Sequence, residues 1–237
     1  MHVDEKGWLQ GEPADAPITH LPTVRISRMA PGGPVGLVWH ATGGVGGLRH
    51  AEGLARRIQN YRRGVDRAAS WHVLVASNGA IFQSAPFTVA TWHVGRPGII
   101  DGVQHPSINA VTVGVELENA GPLVRVQGGF YAWPHWLNRS LGKPDPRYRV
   151  DVERVVYAGK HAHDGFPERQ LASACALVRA VASDRNWGPG AFRHCHADFA
   201  APIKTDPGPI WTGLLPGLLG SAFEKDDARD LQIRRAS

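Results

Sequence analysis

Cysteine is scarce in this chain of 237 residues, which contains only Cys175 and Cys195. Two thiols cannot build the disulfide framework that stabilises small secreted domains, and they suit synthesis in a reducing compartment. Cys195 lies between two histidines, so it could touch a metal ion, but we expect a bystander. Cys175 falls on the apolar stripe of a predicted helix, and we expect it to pack in the core.

Long apolar runs are also lacking. No run approaches the roughly 20 residues that a membrane helix needs, and residues 1–7 have neither the basic start nor the apolar core of a secretory signal. We therefore expect synthesis in the cytoplasm without a signal peptide, and no integral membrane association. The hydrophobic fraction of 43% and the charged fraction of 20% exclude the disordered class, and the length suffices for one generous domain.

Dense blocks of positive charge are absent, although the formal net charge is +5 and the pI is about 9.6. Such a charge favours an anionic partner, which could be nucleic acid, a lipid surface or an acidic cell wall. Arg56-Arg57 and Arg62-Arg63 have the spacing of a solvated helix face instead of a nucleic-acid tail. We expect no nucleic-acid partner.

Apolar patterns predict alternating strands and helices. Residues 36–39 form a buried strand that delivers His40 at its carboxyl end, and a helical pattern follows over 48–61. Residues 71–83 have the pattern of a hairpin around Ser77-Asn78-Gly79. A second helix begins at Pro167 and ends before Gly188-Pro189. The fold class is therefore α/β, a single domain with a mixed central β-sheet flanked by α-helices.

The strand predicted over 111–118 places two carboxylates on one face. Valines and Leu117 alternate with Gly114, Glu116 and Glu118, and side chains two residues apart share a face. Gly114 leaves room for a close approach beside Glu116. Without further evidence, the expected environment of this face is solvent. Glu118 in particular is expected to be solvated or bonded to a neighbouring loop.

Three segments lack a sustained period. Residues 1–22 read as an arm over the domain or a mobile lead-in, and the domain organisation that we predict begins with an N-terminal arm at 1–30. The region of about 121–166 reads as a long irregular insertion, whose aromatics from Phe130 to Trp136 could line a groove or simply pack. The main domain is predicted over 31–212, with a C-terminal tail at 213–237.

The segment from Arg193 to Pro209 concentrates ionisable groups. It carries His194, His196, Lys204 and Asp206, and three prolines prevent it from forming one helix. Histidine and aspartate are zinc ligands, and a lysine can stabilise an oxyanion. With His40 and Glu116, this segment could form a catalytic zinc site for amide hydrolysis, in which a glutamate takes the water proton.

Several blocks then resemble one family. The blocks that carry the resemblance occur in the family's order, and they are His40-Ala41-Thr42, Thr91-Trp92-His93-Val94-Gly95, Val113 to Glu118 and Lys204-Thr205-Asp206-Pro207-Gly208-Pro209. The chain resembles the type-2 N-acetylmuramoyl-L-alanine amidases, which are zinc enzymes related to peptidoglycan-recognition proteins. The resemblance covers about residues 34–212. It implies a zinc cleft at one end of the sheet.

The resemblance also implies a role for each matching residue. His40, His196 and Asp206 would bind Zn²⁺, with Glu116 as the general base and Lys204 as the transition-state stabiliser. Thr42 and His93 would contribute to substrate binding, Thr42 by orienting the site through its hydroxyl and His93 by contacting either the substrate or a residue that binds the metal. His194 is a weaker alternative to His196, two residues too early for the family's spacing. His72, among strand apolars, is expected in the core.

The implied reaction is hydrolysis of the amide between the lactyl group of N-acetylmuramic acid and L-alanine of the stem peptide. Its substrate would be peptidoglycan or a muropeptide, cut during wall lysis or during recycling of wall fragments. Two alternatives stay open. One is a non-catalytic peptidoglycan receptor of the same fold, although receptors usually lose a zinc ligand. The other is a zinc amidase that acts on an unrelated amide.

Overall fold

The structure, a computed structural model of the chain, describes residues 1–11, 16–43, 48–60, 69–132, 137–138 and 143–224. Its strands, in chain order, are β1 His2–Val3, β2 Leu9–Gln10, β3 Ile18–His20, β4 Ile26–Arg28, β5 Gly36–Ala41, β6 Val73–Val75, β7 Ile81–Gln83, β8 Val89–Thr91, β9 Gly98–Ile100, β10 Val103–His105, β11 Thr112–Leu117, β12 Leu123–Val126, β13 Gly129–Ala132, β14 Leu137–Asn138, β15 Lys143–Pro144, β16 Arg149–Val150, β17 Val155–Ala158, β18 His161–Asp164 and β19 His194–Cys195. The α-helices are α1 Leu48–Gln59, α2 Glu168–Arg185, α3 His196–Ala200 and α4 Pro209–Phe223. Short 3-10 helices cover Ile108–Ala110, Pro146–Tyr148, Val152–Arg154 and Pro189–Phe192.

A six-stranded sheet forms the centre, in the order β19-β5-β11-β6-β7-β3. The pairs β19–β5, β5–β11, β11–β6 and β3–β7 are parallel, whereas the hairpin β6–β7 is antiparallel. The sheet is therefore mixed, as the sequence predicts. The predicted hairpin and the two predicted helices are confirmed as well, with α1 and α2 close to their expected bounds.

Helices cover both faces of the sheet. On one face, α2 and α4 pack through Leu177, Val181, Trp211 and other apolar residues against the inward side chains of β5 and β11. On the other face, Ala51, Ala55 and Ile58 of α1 pack on apolar residues of β6 and β7. Burial of these apolar surfaces is the main favourable term in folding. None of the described helices is long and apolar enough to span a membrane.

The register between β5 and β11 positions the site. Leu37 and Trp39 of β5, with Val113, Val115 and Leu117 of β11, belong to the core under α2 and α4. Because side chains alternate along a strand, their neighbours in sequence face the opposite side. The parallel pairing sets Glu116 beside His40 and Gly114 beside Val38. Two positions 76 residues apart in the chain thus become lateral neighbours on one face.

The region 121–166 is not the irregular loop that its sequence suggests. It contains the antiparallel sheet β12-β13-β16 and the hairpin β17–β18. The prediction was wrong because these strands are short and only partly buried, so they lack a clear alternation. Phe130 and Tyr131 lie on β13, while the predicted groove residues Trp133 and Trp136 fall outside the described residues.

Both ends of the described chain are integrated into the fold. Of the two alternatives for residues 1–22, the described residues fit an arm packed on the domain, because Leu9 is fully buried in the core and β3 pairs with β7 at the sheet edge. The apolar run after residue 213 is not an isolated tail, since it belongs to α4, which begins at Pro209. The predicted charged end, 225–237, lies outside the described residues. The domain boundaries themselves stay a prediction.

Candidate metal centre and active site

Three ligand-type atoms converge at the carboxyl end of β5. His40 Nδ1 lies 3.0 Å from His196 Nδ1 and 3.5 Å from Asp206 Oδ2. His196 Nδ1 lies 3.1 Å from the same carboxylate oxygen. These three residues form the one group of histidine, cysteine and acidic side chains in the described part of the chain that could hold a metal ion. They are the three ligands that the family resemblance implies.

The spacing of these atoms fits a tetrahedral metal. Ligand bonds of about 2.0–2.1 Å, as zinc makes to nitrogen and carboxylate oxygen, separate neighbouring ligand atoms in a tetrahedron by about 3.3–3.4 Å. The observed separations of 3.0–3.5 Å bracket that value. Two imidazoles and one carboxylate with a cleft beside them match the donor set of catalytic zinc, which keeps a fourth position open.

Backbone contacts bring His196 and Asp206 together. His196 begins α3, directly after β19 pairs with β5. The following loop folds back, because Ala197 N donates to the Asp206 carbonyl at 3.1 Å and Lys204 N donates to the Ala200 carbonyl at 3.0 Å. The prolines of this loop therefore accompany a tight return that places residues ten apart in contact.

Burial and charge shift the pKa values of the candidate ligands. Desolvation lowers the pKa of His40 to about 4, which favours the neutral imidazole that a metal requires. Burial alone would raise the pKa of Asp206, but the hydrogen bond with His196 and the nearby His40 ring outweigh burial and hold that pKa below its usual value. The Asp206 carboxylate therefore carries its negative charge before any metal binds.

Glu116 lies in the same cleft. Burial, and secondarily the charge of Asp206, raises its pKa to about 8, while the Lys204 ammonium acts in the opposite direction. Its Oε2 is buried and has no hydrogen-bond partner among the described residues. An unpaired buried carboxyl oxygen is costly in free energy, so such a group indicates a missing partner such as a water, a cation or a substrate. The exposed sheet face expected from the sequence is therefore wrong for this residue.

Lys204, Thr42 and His93 also line the cleft. Lys204 is exposed. The Thr42 hydroxyl accepts a hydrogen bond from Asn119 N at 3.3 Å, which connects the end of β5 to the end of β11. His93 is buried, and its Nδ1 lies 3.0 Å from His40 Nε2. The roles of all three residues stay predictions.

The remaining ionisable residues near the site have separate roles. Glu118 is buried, and its Oε2 accepts from Ser77 N and Ser77 Oγ, each at 2.9 Å. The expected bond to a neighbouring loop is confirmed, whereas its expected solvation is not. His72 is fully buried, and its Nε2 lies 2.8 Å from the Val89 carbonyl oxygen, as expected for a core residue.

His194 and both cysteines lie outside the candidate ligand group. The His194 ring packs at 5.8 Å from the Phe199 ring. Burial raises the pKa of Cys195 to about 12, so its thiol stays protonated at neutral pH. Cys175 is only partly buried, beside the core instead of within it. The reason is its position at the groove between α2 and α4.

Sequence reasoning missed several cleft residues. The cleft has a volume of about 450 Å³, and its walls include Arg25, Leu54, Trp71, Trp92, Arg96 and Ile203. Arg25 stacks over Trp92, with its guanidinium carbon 4.9 Å from the ring centroid. Pairing of β4 with β8 brings these two residues together. No local signal could show this, because the contact joins the N-terminal segment to a residue 67 positions away.

Comparison with known proteins identifies the family. A model of the N-acetylmuramoyl-L-alanine amidase family matches residues 31–209. A search of curated proteins found no match.

Solved structures share the fold. The chain is similar to a selenomethionine derivative of AmpD, with 20% identity, a TM-score of 0.53 and coverage of 92% of this chain and 99% of that chain. It is similar to the catalytic domain of XlyA, with 18% identity, a TM-score of 0.51 and coverage of 86% and 98%. A mutant endolysin from Bacillus subtilis matches with 19% identity, a TM-score of 0.50 and coverage of 87% and 99%.

The family match spans three quarters of the chain and includes every residue of the convergent site, and the solved structures carry the same α/β domain. The chain therefore belongs to the N-acetylmuramoyl-L-alanine amidase family.

Proposed function

We propose that this protein is a zinc-dependent amidase that hydrolyses the bond between the lactyl group of N-acetylmuramic acid and the L-alanine of the stem peptide. His40, His196 and Asp206 would hold the ion, Glu116 would act as the general base, and Lys204 would stabilise the transition state. The observation that carries the proposal is the convergence of two imidazole nitrogens and one carboxylate oxygen within 3.5 Å, beside a buried carboxyl with an unpaired oxygen.

The ion would supply Lewis acidity, which polarises a carbonyl and lowers the pKa of a water molecule towards about 7. A divalent cation held there would also favour the charged form of Glu116 and would offset the effect of burial on that carboxyl. Glu116 is then able to take the proton of the attacking water. General-base assistance of this kind typically contributes about 100- to 10,000-fold in rate.

The remaining steps use residues that line the same cleft. As the carbonyl carbon becomes tetrahedral, negative charge grows on its oxygen, and the Lys204 ammonium stabilises that charge. Glu116, now protonated, returns its proton to the leaving nitrogen of L-alanine, so that the amine departs neutral. Thr42 and His93 support this arrangement, Thr42 by connecting the ends of β5 and β11 and His93 by contacting His40.

The walls of the cleft suit a muramyl peptide. Trp71 and Trp92 supply apolar surface for the sugar or the peptide, while Arg25 and Arg96 supply positive charge for carboxylates. The cleft is open to solvent at Trp92, which is 47% exposed. An extended polymer can therefore enter the cleft from the side of Arg25 and Trp92.

The first experiment couples metal analysis to digestion. We expect purified protein to bind about one zinc per chain and to release stem peptides from peptidoglycan, with L-alanine as the new amino terminus. An unrelated acyl peptide is the control substrate, and it should not be cut. Protein that binds peptidoglycan but does not cut it with zinc added is a receptor, and protein that cuts the unrelated peptide equally well is a different amidase.

The net charge of +5 favours the polymeric wall over small fragments, because an anionic polymer is attracted to a basic surface more strongly than one fragment is. We therefore propose wall lysis as the role, with recycling of fragments as the competing outcome. Parallel rates on intact peptidoglycan and on a soluble muropeptide separate the two, since a recycling enzyme prefers the muropeptide.

A further inference from the structure

We propose that His93 is a positioning residue that keeps the metal-facing nitrogen of His40 free of its proton. It does so through a hydrogen-bond chain that starts at a backbone carbonyl and runs through Thr112. The inference rests on the proposed metal site, and it adds to that site a defined proton arrangement. The three atoms that transmit the arrangement are Thr112 Oγ1, His93 Nε2 and His93 Nδ1.

The hydrogen-bond chain begins at a carbonyl oxygen, which can only accept a hydrogen bond. Thr112 Oγ1 lies 2.7 Å from the carbonyl oxygen of Ile108. A carbonyl has no proton to give, so the hydroxyl must donate its single hydrogen there. The same Oγ1 lies 3.2 Å from His93 Nε2. Because the hydroxyl hydrogen is already used, Oγ1 accepts in this second bond, and His93 Nε2 carries the hydrogen.

The position of the hydrogen on His93 then determines which nitrogen of His40 carries a hydrogen. With its hydrogen on Nε2, a neutral His93 ring has a lone pair on Nδ1. That Nδ1 lies 3.0 Å from His40 Nε2, so it accepts a hydrogen from His40 Nε2. A neutral His40 ring then has its lone pair on Nδ1, the atom that faces His196 and Asp206. This is the atom that a metal would bind.

The hydrogen-bond chain matters because Asp206 favours the other tautomer of His40, with the hydrogen on Nδ1. Its carboxylate oxygen lies 3.5 Å from His40 Nδ1, and a hydrogen on Nδ1 would be attracted to it. That tautomer would block the metal position. It would also leave two lone pairs, on His40 Nε2 and His93 Nδ1, facing each other at 3.0 Å. The anchored chain therefore opposes Asp206 and prepares His40 for the metal.

The fold holds His93 firmly in this position. A Cβ at residue 114 would lie 2.6 Å from His93 Cγ, so the ring packs directly on the bare backbone of Gly114. Asn109 Oδ1 accepts from the backbone N–H groups of His93, Val94 and Gly95, at 3.1, 2.7 and 3.2 Å. The space that the sequence suggests beside Glu116 is thus occupied by the ring of His93.

The test uses the full chain and two matched pairs of variants. Thr112→Val removes the hydroxyl with little change in shape, and Thr112→Ser restores it. His93→Leu removes the acceptor, and His93→Asn restores an acceptor oxygen near the place of Nδ1. Zinc affinity is measured by competition with a chelator, and the tautomers of the histidines are read from long-range ¹H–¹⁵N spectra of the zinc-free protein.

We expect His40 in the zinc-free wild type to carry its hydrogen on Nε2. Thr112→Val and His93→Leu should weaken zinc binding by about 10- to 100-fold, the usual effect of losing a partner of a metal-binding histidine. Thr112→Ser and His93→Asn should stay close to the wild type. Unfolding curves of the zinc-free variants serve to separate this effect from a loss of folding.

Two results would overturn the inference. One is a hydrogen on Nδ1 of His40 in the zinc-free wild type. The other is an equal zinc affinity of the two members of each pair. Failure of the proposed function looks different, because a protein that binds no zinc can still show the His40 tautomer set by the chain.

Discussion

At the scale of single residues, burial determines the protonation of the cleft. The same desolvation has opposite effects on the two kinds of group, because it always disfavours the charged form. It lowers the pKa of His40 to about 4 and raises that of Glu116 to about 8. Without a metal, both side chains are therefore largely neutral near pH 7. Asp206 is the exception, since its interactions with the His196 and His40 rings favour its charged form.

The proposed roles predict that metal binding and turnover separate by residue. His40→Ala and Asp206→Ala should lose zinc and activity together, because each removes a ligand atom. Glu116→Gln should keep one zinc per chain and lose about 100- to 10,000-fold in turnover, because it removes only the base. Metal analysis and release of stem peptides measure the two effects. A near-normal rate for Glu116→Gln would show that another group takes the proton.

The raised pKa of Glu116 predicts a pH dependence of stability in the zinc-free protein. Its folded-state pKa of about 8 exceeds the ordinary value of 4.5, so the folded state binds more protons between these values. This contribution to the free energy of unfolding is fully present below about pH 4.5 and is lost as the pH rises through 8.

Denaturant unfolding of wild type and Glu116→Gln, in the presence of a chelator, measures this effect. The stability of the wild type relative to Glu116→Gln should fall steadily from pH 5 to pH 8.5. The comparison cancels the titration of the histidines, which both proteins share. A difference that does not change with pH would mean that Glu116 titrates normally.

At the scale of elements, glycines in β11 and in α1 differ in the space that surrounds them. Gly114 on β11 has the ring of His93 in the place where a Cβ would go, whereas Gly53 in α1 has nothing within 4 Å of that place. The first glycine allows a close contact that the site needs. The second leaves a helix without the propensity that alanine would provide.

Alanine at these two positions should therefore have opposite effects. Gly53→Ala should stabilise the protein by about 1 kcal/mol, because alanine is the better helix former. Gly114→Ala should destabilise it by about 1–3 kcal/mol through overpacking against His93, and should also weaken zinc binding. Unfolding midpoints and chelator competition measure both changes. Tolerance of alanine at 114 with unchanged zinc affinity would contradict the packing described for His93.

At the scale of the whole molecule, net charge influences which partners the protein attracts, and the architecture determines where the cleft lies. The charge of +5 belongs to the surface and influences association with anionic polymers. The architecture positions the cleft, because the parallel strands β5 and β11 end at the same edge of the sheet. Ligands of open α/β sheets typically lie at that edge.

The proposed preference for polymeric wall predicts a dependence on salt. Raising the ionic strength from low to physiological values should slow digestion of intact peptidoglycan more than digestion of a soluble muropeptide, because screening weakens attraction between extended charges. Rates on the two substrates across a salt series provide the measurement, and the muropeptide serves as the control for effects on the chemistry itself. Equal salt dependence on both substrates would argue against recruitment by charge.

The sequence alone determined much of the framework. Alternation over 111–118 correctly predicted the strand and its two faces, since period-two alternation is a local property of an extended chain. The helix after Pro167 was also predicted correctly, because the spacing of its apolar residues is a local property of the sequence. The order of the motif blocks identified the family, and the family match over 31–209 confirms it.

Only the tertiary structure decided how distant segments meet. Three contacts of the cleft region join residues that are 41–67 positions apart in the chain. They are His93 with His40, Arg25 with Trp92, and Glu118 with Ser77. No periodicity encodes such contacts, because each depends on strand pairing and register elsewhere in the chain. The burial of Glu116 was hidden for the same reason, because the environment of a side chain depends on its neighbours in space and the sequence gives only its neighbours along the chain.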